Sequence, residues 1–321
     1  MITLSKIAKM ANVSVSTASK AFAGSGEVSE DTREMIFRVA KENGCFKKFY
    51  NVKYPKLVIA LIAPEFNSMY YTRYLSVIKS KLDKENCELC VSTTDFSEEN
   101  EKSLIEYYYK HSNVDGILVI GAQTEIAENY EIPVVHLLPG KEQTHGVSVW
   151  SDLQSALSEI GGYLARKGVD AVGFIGEQLT DKKRERLEKA LKDSGLQLQE
   201  AFISISEDRF EAGGYSAMDA LFAKKQLPRA VVCAYDYMAI GAIRCIYDHG
   251  LTVPGDIAVV GMDDIPEARY LNPPLASVSE NTQMLCQMAA QSIMQQINGE
   301  TVLQQQTVTA EFHLRESFEL L

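Results

Sequence analysis

The sequence lacks the features of a membrane or exported protein. Its 321 residues contain no apolar run long enough to cross a bilayer, and the first residues lack the pattern of a secretory signal. The six cysteines are scattered, and the one close pair, Cys87 and Cys90, has no second pair or histidine at metal-ligand spacing. We therefore expect a cytoplasmic protein without membrane contact, disulfides or a metal site, and we interpret Cys90 as a small core residue.

Motifs for catalysis are also missing. The sequence has no Gly-x-Ser-x-Gly, no glycine-rich loop that could hold a phosphate between a strand and a helix, and no cluster among its five histidines. These absences argue against an enzyme. We therefore predict no catalytic residues and no cofactor.

Charge is unevenly distributed along the chain. Residues 1–53 contain nine Lys and Arg against five Asp and Glu, whereas the whole chain contains 32 against 43 and has a net charge of −11. A basic segment on an acidic body is what the attraction of one end of a protein to nucleic-acid phosphates requires.

The basic segment begins with two short helices joined by a turn. Asn12 and Val13 interrupt the helical pattern, and Ser14 can begin the second helix by accepting a hydrogen bond from the backbone N–H of Thr17. Two short helices separated by a tight turn are typical of helix-turn-helix DNA-binding domains. The first of them is predicted by the amphipathic spacing of Leu4, Ile7, Ala8 and Ala11.

The outer face of the second helix is unusual for a surface in water. With Ala18, Ala21 and Phe22 turned inward, it carries short hydroxyl and methyl groups and one lysine, where a solvated helix usually carries Glu, Lys and Gln. Such short groups suit close approach to phosphates and base edges. We interpret the stretch as a recognition helix in which Val15, Ser16 and Lys20 read bases, Thr17 and Ser19 position the helix on the DNA backbone, and Ser14, Thr3 and Ser5 add further DNA contacts.

A third helix is predicted to complete this domain. Ser29 precedes it as an N-cap, Glu30 and Asp31 lie in its first turn, and Gly44 follows its end. The alternative interpretation is a small helical domain with no role in DNA binding. The apolar stripe of the third helix is predicted to consist of Met35, Ile36, Val39 and Ala40.

From Leu57 onward, short apolar segments alternate with amphipathic segments of helical length. Nearly continuous apolar strands separated by helices indicate parallel sheets with helices on both faces. The pattern breaks near KEQTHGVSVWSD and then restarts, so we predict two doubly wound lobes. The predicted strands are KLVIALIA, ELCVSTT, DGILVIGA, IPVVHLL, DAVGFIGE, EAFISI, RAVVCAY and DIAVVGM.

Ligand contacts are expected directly after these strands. Ligands of doubly wound sheets bind beyond the carboxyl ends of the strands, and in a two-lobed protein those ends face one cleft. The segments of interest are 64–71, 121–123, 150–152, 177–186, 235–236 and 263–264.

Three stretches of the chain carry a family resemblance. The run LSKIAKMANVSVSTASKAFAGSGEVSEDTREMIFRVAKENG resembles the DNA-binding headpiece of the lactose/galactose repressor family of bacterial regulators. The block AVVCAYDYMAIGAIRCIYDHGLTVPGDIAVVGMDDIPEARYLNPPLASV resembles the effector domain of that family, and HLRESF resembles its Arg-Glu-Ser ending. The resemblance implies an α/β chain in which a helix-turn-helix headpiece precedes a two-lobed body of the periplasmic-binding-protein type, built on two doubly wound parallel sheets.

The resemblance also implies a domain division. We expect a headpiece at 1–46, a linker or degenerate hinge at 47–56, and an effector-binding and dimerisation domain at 57–321. Within that domain, lobe one is expected to comprise about 57–149 and 281–306, and lobe two about 150–280 and 307–321.

The segment between headpiece and body departs from the family pattern. The resemblance implies Tyr-x-Pro-Asn and a short helix whose leucine enters the minor groove, but this chain has Cys45 and Lys47 at the Tyr and Pro positions and fewer residues before the first strand. We predict a plain linker, with the alternative that Phe46, Phe49 or Tyr50 acts as the wedge.

An effector cleft is implied by the same resemblance. Tyr70 and Tyr71 match adjacent aromatic residues that stack on sugar rings or bases, and Asp263 matches the ligand-binding aspartate of the family. The complete expected set is Tyr70, Tyr71, Trp150, Arg186, Phe210, Asp236 and Asp263.

Several of these assignments have alternatives. Asp236 has the alternative role of capping the helix YMAIGAIRCIYDHG. For three other positions a nearby residue is the alternative ligand contact: Arg184 in place of Arg186, Arg209 in place of Phe210, and Asp264 in place of Asp263.

Together these features predict a ligand-responsive transcriptional regulator, specifically a repressor. It is expected to act as a homodimer on a near-palindromic operator and to respond to a small molecule. A sugar or sugar derivative is the first expectation for that molecule, and a nucleobase or nucleoside the second. The alternative from another class is a two-lobed solute-binding or sensor protein that does not bind specific DNA sequences.

Overall fold

The computed structural model describes residues 4–49, 57–112, 114–125, 130–224 and 227–320. Its helices are α1 Leu4–Met10, α2 Val15–Phe22, α3 Glu30–Glu42, α4 Phe46–Phe49, α5 Met69–Leu82, α6 Glu98–His111, α7 Leu153–Arg166, α8 Asp181–Asp193, α9 Phe210–Ala223, α10 Asp236–Asp248 and α11 Thr282–Ile297, with short 3₁₀ turns at Asp83–Glu85, Gln178–Thr180, Pro266–Tyr270 and Glu316–Phe318. Its strands are β1 Leu57–Ala63, β2 Cys87–Thr93, β3 Gly116–Ile120, β4 Val134–Leu137, β5 Val147–Asp152, β6 Val172–Glu177, β7 Leu198–Ser206, β8 Ala230–Cys233, β9 Ala258–Met262, β10 Ala276–Ser279, β11 Gln305–Thr309 and β12 Glu311–His313.

Helices α1, α2 and α3 form a small domain of their own. The predicted caps are confirmed, because the Ser14 hydroxyl accepts a hydrogen bond from the Thr17 N–H at 2.9 Å and the Ser29 hydroxyl accepts one from the Thr32 N–H at 3.4 Å. The prediction for Met35 is wrong, since 39% of this residue is exposed. The core is formed by residues that the three helices share, including Ile7, Ala18, Ala21, Phe22, Ile36 and Ala40.

Helix α4 packs onto this domain through its aromatic residues. The ring centroid of Phe49 lies 5.8 Å from that of Phe22, and the centroid of Phe46 lies 4.9 Å from that of Phe37. Phe46 and Phe49 therefore close the helical core, and they do not project from the domain as a wedge would. Tyr50, the third candidate wedge, lies outside the described residues, as does most of the expected hinge.

Lobe one is built on a six-stranded sheet with the order β11-β5-β4-β3-β1-β2. All of its neighbouring strands are parallel. Helices α5 and α11 bury apolar side chains such as Ile78 and Leu285 against one face, and α6 buries Ile105 against the other. The sheet is thus covered on both sides, as the apolar strands predict.

Lobe two is built on a second six-stranded sheet with the order β12-β10-β9-β8-β6-β7. It is parallel except for β12, which runs antiparallel to β10. Its core includes side chains of α7, α8, α9 and α10, among them Leu157, Leu187, Met218 and Ala242. The C-terminal Ser317 ties this lobe together, because its hydroxyl donates to the Val259 carbonyl at 2.6 Å and accepts from the Ala276 N–H at 2.8 Å.

The chain passes between the two sheets three times. The changes fall between β5 and α7, between β10 and α11, and between β11 and β12, within a few residues of the expected lobe boundaries. All eight predicted strands are present. The sequence pattern missed β5, which lies inside the segment where the pattern breaks, and the short strands β10, β11 and β12.

The structure also bears on the predictions made for the cysteines and for membrane contact. Cys90 is exposed, so its interpretation as a core residue is wrong; it lies on β2, an edge strand of its sheet. Among the described helices, none combines the length and the apolar character needed to cross a membrane.

Candidate functional site

The outer face of α2 is arranged as the sequence predicts. Val15, Ser16, Ser19 and Lys20 are exposed, while Ala18, Ala21 and Phe22 are buried beneath them. The helix thus presents small groups to its surroundings, which allows a flat surface to approach its backbone closely.

The remaining expected DNA contacts lie around this face. Thr17 is half-buried and its hydroxyl lies 2.8 Å from that of Ser14, while Ser5 is exposed on α1. Thr3 lies outside the described residues. The Lys20 ammonium lies 2.5 Å from a Glu27 carboxylate oxygen, and both side chains are solvent-accessible. Lys20 therefore has an alternative partner that it must leave in order to contact a base.

A cavity of about 250 Å³ lies between the lobes, at the carboxyl ends of the strands. Lobe one contributes segments that follow β1, β2 and β3, and lobe two contributes segments that follow β6, β7, β8 and β9. The lining residues are Ser68, Tyr70, Tyr71, Phe96, Gln123, Glu177, Leu179, Thr180, Lys183, Arg209, Phe210, Tyr235, Tyr237 and Asp263.

Aromatic rings form much of the cavity wall. Tyr70 and Tyr71 pack edge to face with their centroids 4.9 Å apart. The Tyr70 hydroxyl donates to the Glu280 carboxylate at 2.7 Å, and burial raises the pKa of Tyr70 well above its ordinary value, so this hydroxyl stays protonated. Ring faces and fixed hydroxyls together suit a ligand with both apolar and polar edges.

Three residues that line this cavity have strained, positive φ angles. Phe96 and Phe210 both have φ 59°, and Asp263 has φ 97°. Residues other than glycine adopt such angles at a cost of the order of 1–3 kcal/mol, which surrounding structure must offset. Strain of this kind gathers at ligand-binding positions, and here it holds three lining side chains toward the cavity.

A charged pair occupies the lobe-two wall. The Lys183 ammonium lies 3.1 Å from the Asp263 carboxylate and donates to the Ala234 carbonyl at 2.9 Å. Burial alone would lower the pKa of Lys183, but Asp263 and Glu280 outweigh it and raise the pKa. Burial raises the pKa of Asp263, and Lys183 opposes that effect. The pair presents an N–H donor and a carboxylate acceptor side by side.

A second cation, Arg209, also lines the cavity. Arg209 donates through both terminal nitrogens to the Glu65 carboxylate, each at 3.0 Å, and its Nε lies 3.7 Å from Glu177. The guanidinium carbon lies 4.7 Å from the Phe210 ring centroid. Both competing residues, Arg209 and Phe210, therefore line the cavity.

The structure separates the roles of the two neighbouring aspartates. Asp263 lines the cavity, whereas Asp264 turns into lobe two and is only 3% exposed. The Asp264 carboxylate accepts from Arg315 at 2.6 Å and from Arg269 at 3.2 Å. Asp264 thus anchors the Arg-Glu-Ser segment, and the register that puts Asp263 in the cleft is the one observed.

Three residues of the expected effector set lie away from the lining. Arg186 is exposed on the second turn of α8, and Lys183 from the first turn reaches the cavity in its place. Arg184, its competitor, pairs with Asp181 and Glu188 along the same helix. These expectations need correction because α8 begins at the cavity and runs away from it.

Trp150 and Asp236 are the other two residues of the expected effector set that do not line the cavity. The Trp150 indole N–H donates to the Gln305 side chain at 2.7 Å, and β5 lies two strands beyond the strands whose ends line the cavity. Asp236 is fully buried; it accepts from the Ser277 hydroxyl at 2.6 Å and from the Ile265 N–H at 2.8 Å. Asp236 is also not the N-cap of α10, which is Tyr235.

Sequence reasoning missed several lining residues. Glu177, Lys183 and Tyr235 fell within the segments marked after strands, but nothing in the sequence distinguished them from their neighbours. Phe96 follows the edge strand β2, and the segment after this strand is not among those predicted to contact a ligand. The sequence feature that points to Phe96 is the turn at Asp95 and Phe96 after the strand, which by itself is a weak indication of a binding site.

One group of potential metal ligands lies outside the cavity. Asp219, Cys245 and His249 lie on or beside α9 and α10 with ligand atoms within 4.8 Å of one another. The His249 ring stacks on Phe222 at 3.9 Å, and burial raises the pKa of the Cys245 thiol to about 12. The stacked His249 ring and the buried Cys245 side chain pack α9 against α10, and this packing accounts for the cluster.

Two family models match the chain. Residues 3–44 match the model described as bacterial regulatory proteins, lacI family, and residues 162–318 match the model described as periplasmic binding protein-like domain. The first range covers α1, α2 and α3, and the second covers most of lobe two.

Similar proteins extend over nearly the whole length. The ribose operon repressor of Haemophilus influenzae is 27% identical over 312 residues, covering 93% of each chain. The HTH-type transcriptional repressor PurR of Pasteurella multocida is 28% identical over 318 residues, covering 93% of this chain and 92% of its own. The crystal structure of the Lac repressor dimer bound to operator and the anti-inducer ONPF superimposes with a TM-score of 0.72 at 20% identity, covering 98% of both chains.

Proposed function

Because the chain belongs to the LacI family of bacterial regulatory proteins, we propose that it is a ligand-responsive transcriptional repressor. The observation that carries this proposal is the presence, in one chain, of an exposed recognition face on α2 and a cavity between two lobes. Each part supplies one half of the function, because the first can bind DNA and the second can bind a small molecule.

The protein acts on operator DNA as a homodimer. Two headpieces related by a two-fold axis fit two half-sites, so the operator is near-palindromic. A ligand that binds better to one arrangement of the lobes shifts the population toward that arrangement, and the change in lobe position alters the spacing of the headpieces.

The domain division follows the same proposal. The headpiece comprises the helices up to α4, a linker follows, and the two-lobed body binds the effector and forms the dimer. The residues proposed to contact DNA are Val15, Ser16, Lys20, Thr17, Ser19, Ser14, Thr3 and Ser5. The residues proposed to contact the effector are Tyr70, Tyr71, Phe210 and Asp263, to which the cavity adds Lys183, Phe96 and Tyr235.

The effector is an uncharged sugar. Lys183 is already paired with Asp263, and Arg209 with Glu65, so an anionic ligand must displace a carboxylate before it gains a charge partner. Sugar hydroxyls both donate and accept, which matches a neighbouring ammonium and carboxylate. The aromatic rings provide faces for the C–H groups of a sugar ring.

A nucleobase or nucleoside is the second candidate. The same aromatic rings can stack on a base, and the Lys183 and Asp263 pair can bond to a base edge that carries one acceptor and one donor. A thermal-shift screen separates the candidates. Neutral sugars are expected to raise the melting temperature, while their matched sugar acids and sugar phosphates, and the nucleosides, have no effect.

DNA selection tests the regulatory half of the proposal. Full-length protein is incubated with random duplex DNA, bound sequences are recovered, and the preferred sequence is footprinted. We expect two inverted half-sites. A chain that enriches no sequence, yet still binds a sugar, is a solute-binding or sensor protein and the regulator proposal is wrong.

Members of the family are transcriptional regulators. We infer that this chain has no catalytic activity of its own, because the raised pKa of Lys183, the lining amine beside the Asp263 carboxylate, keeps that amine protonated and unable to act as a nucleophile. Since its target is operator DNA, its place of action is the cytoplasm.

A further inference from the structure

One ion pair crosses the cavity from lobe to lobe. Glu65 follows β1 in lobe one and is only 7% exposed, while Arg209 directly precedes α9 in lobe two. Both terminal nitrogens of Arg209 donate to the Glu65 carboxylate, each at 3.0 Å. This two-pronged geometry is the strongest arrangement for an arginine and a carboxylate, and it fixes orientation as well as distance.

Aromatic rings from both lobes enclose this pair. The guanidinium carbon of Arg209 lies 5.3 Å from the ring centroid of Phe96 in lobe one and 4.7 Å from that of Phe210 in lobe two. Such rings exclude water and favour a cation by their negative faces. Burial alone would lower the pKa of Arg209, but Glu65 outweighs it and raises the pKa, so the guanidinium stays charged.

Other ion pairs serve local roles. Among the described residues, the remaining ion pairs within 4.0 Å join groups of the same lobe or of the headpiece. Two other side chains donate hydrogen bonds across the lobes, but both reach only backbone carbonyls. Arg73 donates to those of Asp263 and Asp264 at 3.3 and 2.9 Å, and Lys182 donates to that of Gly140. Glu65 and Arg209 are therefore in a position to couple lobe separation to side-chain charge.

We propose that Glu65 and Arg209 form a latch that favours the closed arrangement of the lobes independently of any effector. The latch sets the fraction of molecules whose cleft is ready to bind, and the apparent ligand affinity scales with that fraction. Glu65 and Arg209 act as positioning residues in this role. The proposal concerns lobe closure and does not depend on the identity of the operator or the effector.

The test measures lobe separation directly. Cys90, the exposed native cysteine on β2, and a cysteine introduced at exposed Glu200 on β7 carry spin labels, and labelled chains are diluted with an excess of unlabelled protein. Electron–electron resonance then gives the distance distribution without added ligand. For Glu65→Gln and Arg209→Gln we expect the population at longer distances to rise by roughly tenfold, as for the loss of a well-coupled charged pair.

Three further variants define the outcome. The double variant Glu65→Gln/Arg209→Gln should open the lobes no more than either single variant, and the reversed pair Glu65→Arg/Arg209→Glu should restore closure. Arg209→Lys keeps the positive charge but loses one of the two hydrogen bonds to Glu65, so the population at longer distances should lie between those of wild type and the neutral variants. This variant replaces the neutral ones in the test if they do not fold. Glu188→Gln, which breaks the Arg184 pair within α8, is the matched control and should change nothing.

The proposal fails under two results. One is an unchanged distance distribution in both neutral single variants or in Arg209→Lys. The other is strict additivity of the two single effects, because groups that act only through each other must show coupling.

Discussion

At the scale of single residues, Lys20 tests the recognition helix. An exposed lysine on this face can donate to guanine O6 and N7, and we expect Lys20→Ala to change which base is preferred at one position of each half-site. A good base contact discriminates by about 1–3 kcal/mol. Binding of wild type and variant to a set of single-base operator variants measures the effect.

Glu27→Gln is the companion variant for Lys20. It removes the 2.5 Å partner of Lys20 without changing the recognition helix. It should keep the base preference and bind DNA at least as well as wild type. If Lys20→Ala weakens binding equally on all sequences, Lys20 contacts phosphate and its assignment to a base is wrong.

Asp263 is the residue on which the proposed effector cleft depends most. Its carboxylate lines the cavity beside Lys183, and removing its charge leaves the half-buried Lys183 ammonium without its charged partner. We expect Asp263→Asn to lower effector affinity by at least about tenfold, since one hydrogen bond to a charged group contributes about 1.5–3 kcal/mol. Operator binding should persist because the headpiece has its own core.

The measurement for Asp263 is a titration with the sugar that gives the largest thermal shift. Each variant is titrated in calorimetry and, separately, in the presence of labelled operator. An Asp263→Asn protein that folds and responds at wild-type sugar concentrations would show that Asp263 has only a structural role.

Asp264, one residue further, should instead affect stability in a pH-dependent way. Burial alone would raise the pKa of Asp264, but Arg315, Arg269 and His313 outweigh it and lower the pKa below its ordinary 3.8. The stabilisation is therefore complete above the unfolded pKa of about 4 and is lost as pH falls through the lower folded pKa. We expect Asp264→Asn to cost about 2–3 kcal/mol at pH 7.

Denaturant unfolding at a series of pH values checks this prediction. The difference in unfolding free energy between wild type and Asp264→Asn should be constant from pH 7 to pH 5 and shrink below pH 4. A difference that stays constant down to pH 3 would mean that the asparagine disturbs packing and that the charge of Asp264 contributes little.

At the scale of elements, α4 changes what the end of the headpiece does. Its two phenylalanines pack against Phe22 and Phe37, and the Lys41 ammonium lies 5.0 Å above the Phe46 ring. Side chains used in this way cannot also enter the minor groove without opening the core. The family resemblance implies that a hinge begins at this point of the chain. In this structure the same point is occupied by α4, which belongs to the headpiece.

Phe49→Ala tests this role of α4. Loss of a half-buried aromatic contact should destabilise the headpiece by about 1–2 kcal/mol and lower its melting temperature. Met35→Ala, which truncates an apolar side chain of the same domain that is 39% exposed, is the control and should have a smaller effect. The headpiece transition is followed by calorimetry.

A wedge would give the opposite pattern. If Phe49 entered the minor groove, Phe49→Ala would leave the headpiece transition unchanged and reduce the bend of the operator in a circular-permutation gel assay.

At the scale of the whole molecule, charge is divided between two ends. The headpiece proposed to bind DNA is basic, while the body carries the excess negative charge of the chain. Phosphate contacts release counterions, so we expect operator affinity of the dimer to fall by roughly a thousandfold between 50 and 200 mM salt. Fluorescence anisotropy over this range of salt gives the slope, and a shallow slope would argue against phosphate contacts by both headpieces.

The sequence alone determined the features that depend on neighbours along the chain. Ser14 and Ser29 cap helices because the groups they bond lie three residues away, and apolar runs such as LVIALIA form buried strands because no helix face can hide them all. The inward and outward faces of α2 follow from the helical repeat. The resemblance to a family supplied Asp263 and the aromatic pair at 70 and 71.

Tertiary structure decided the features that depend on distant segments. The edge strand β11, QQTVT, has no apolar run because one side of it has no neighbour, and its partner β5 is more than 150 residues away in sequence. Lys183 replaces Arg186 at the cavity because of where α8 begins relative to β6, and Glu65 meets Arg209 only because two lobes close on each other. No local pattern encodes such meetings, since the physical interaction exists only after the sheets have formed.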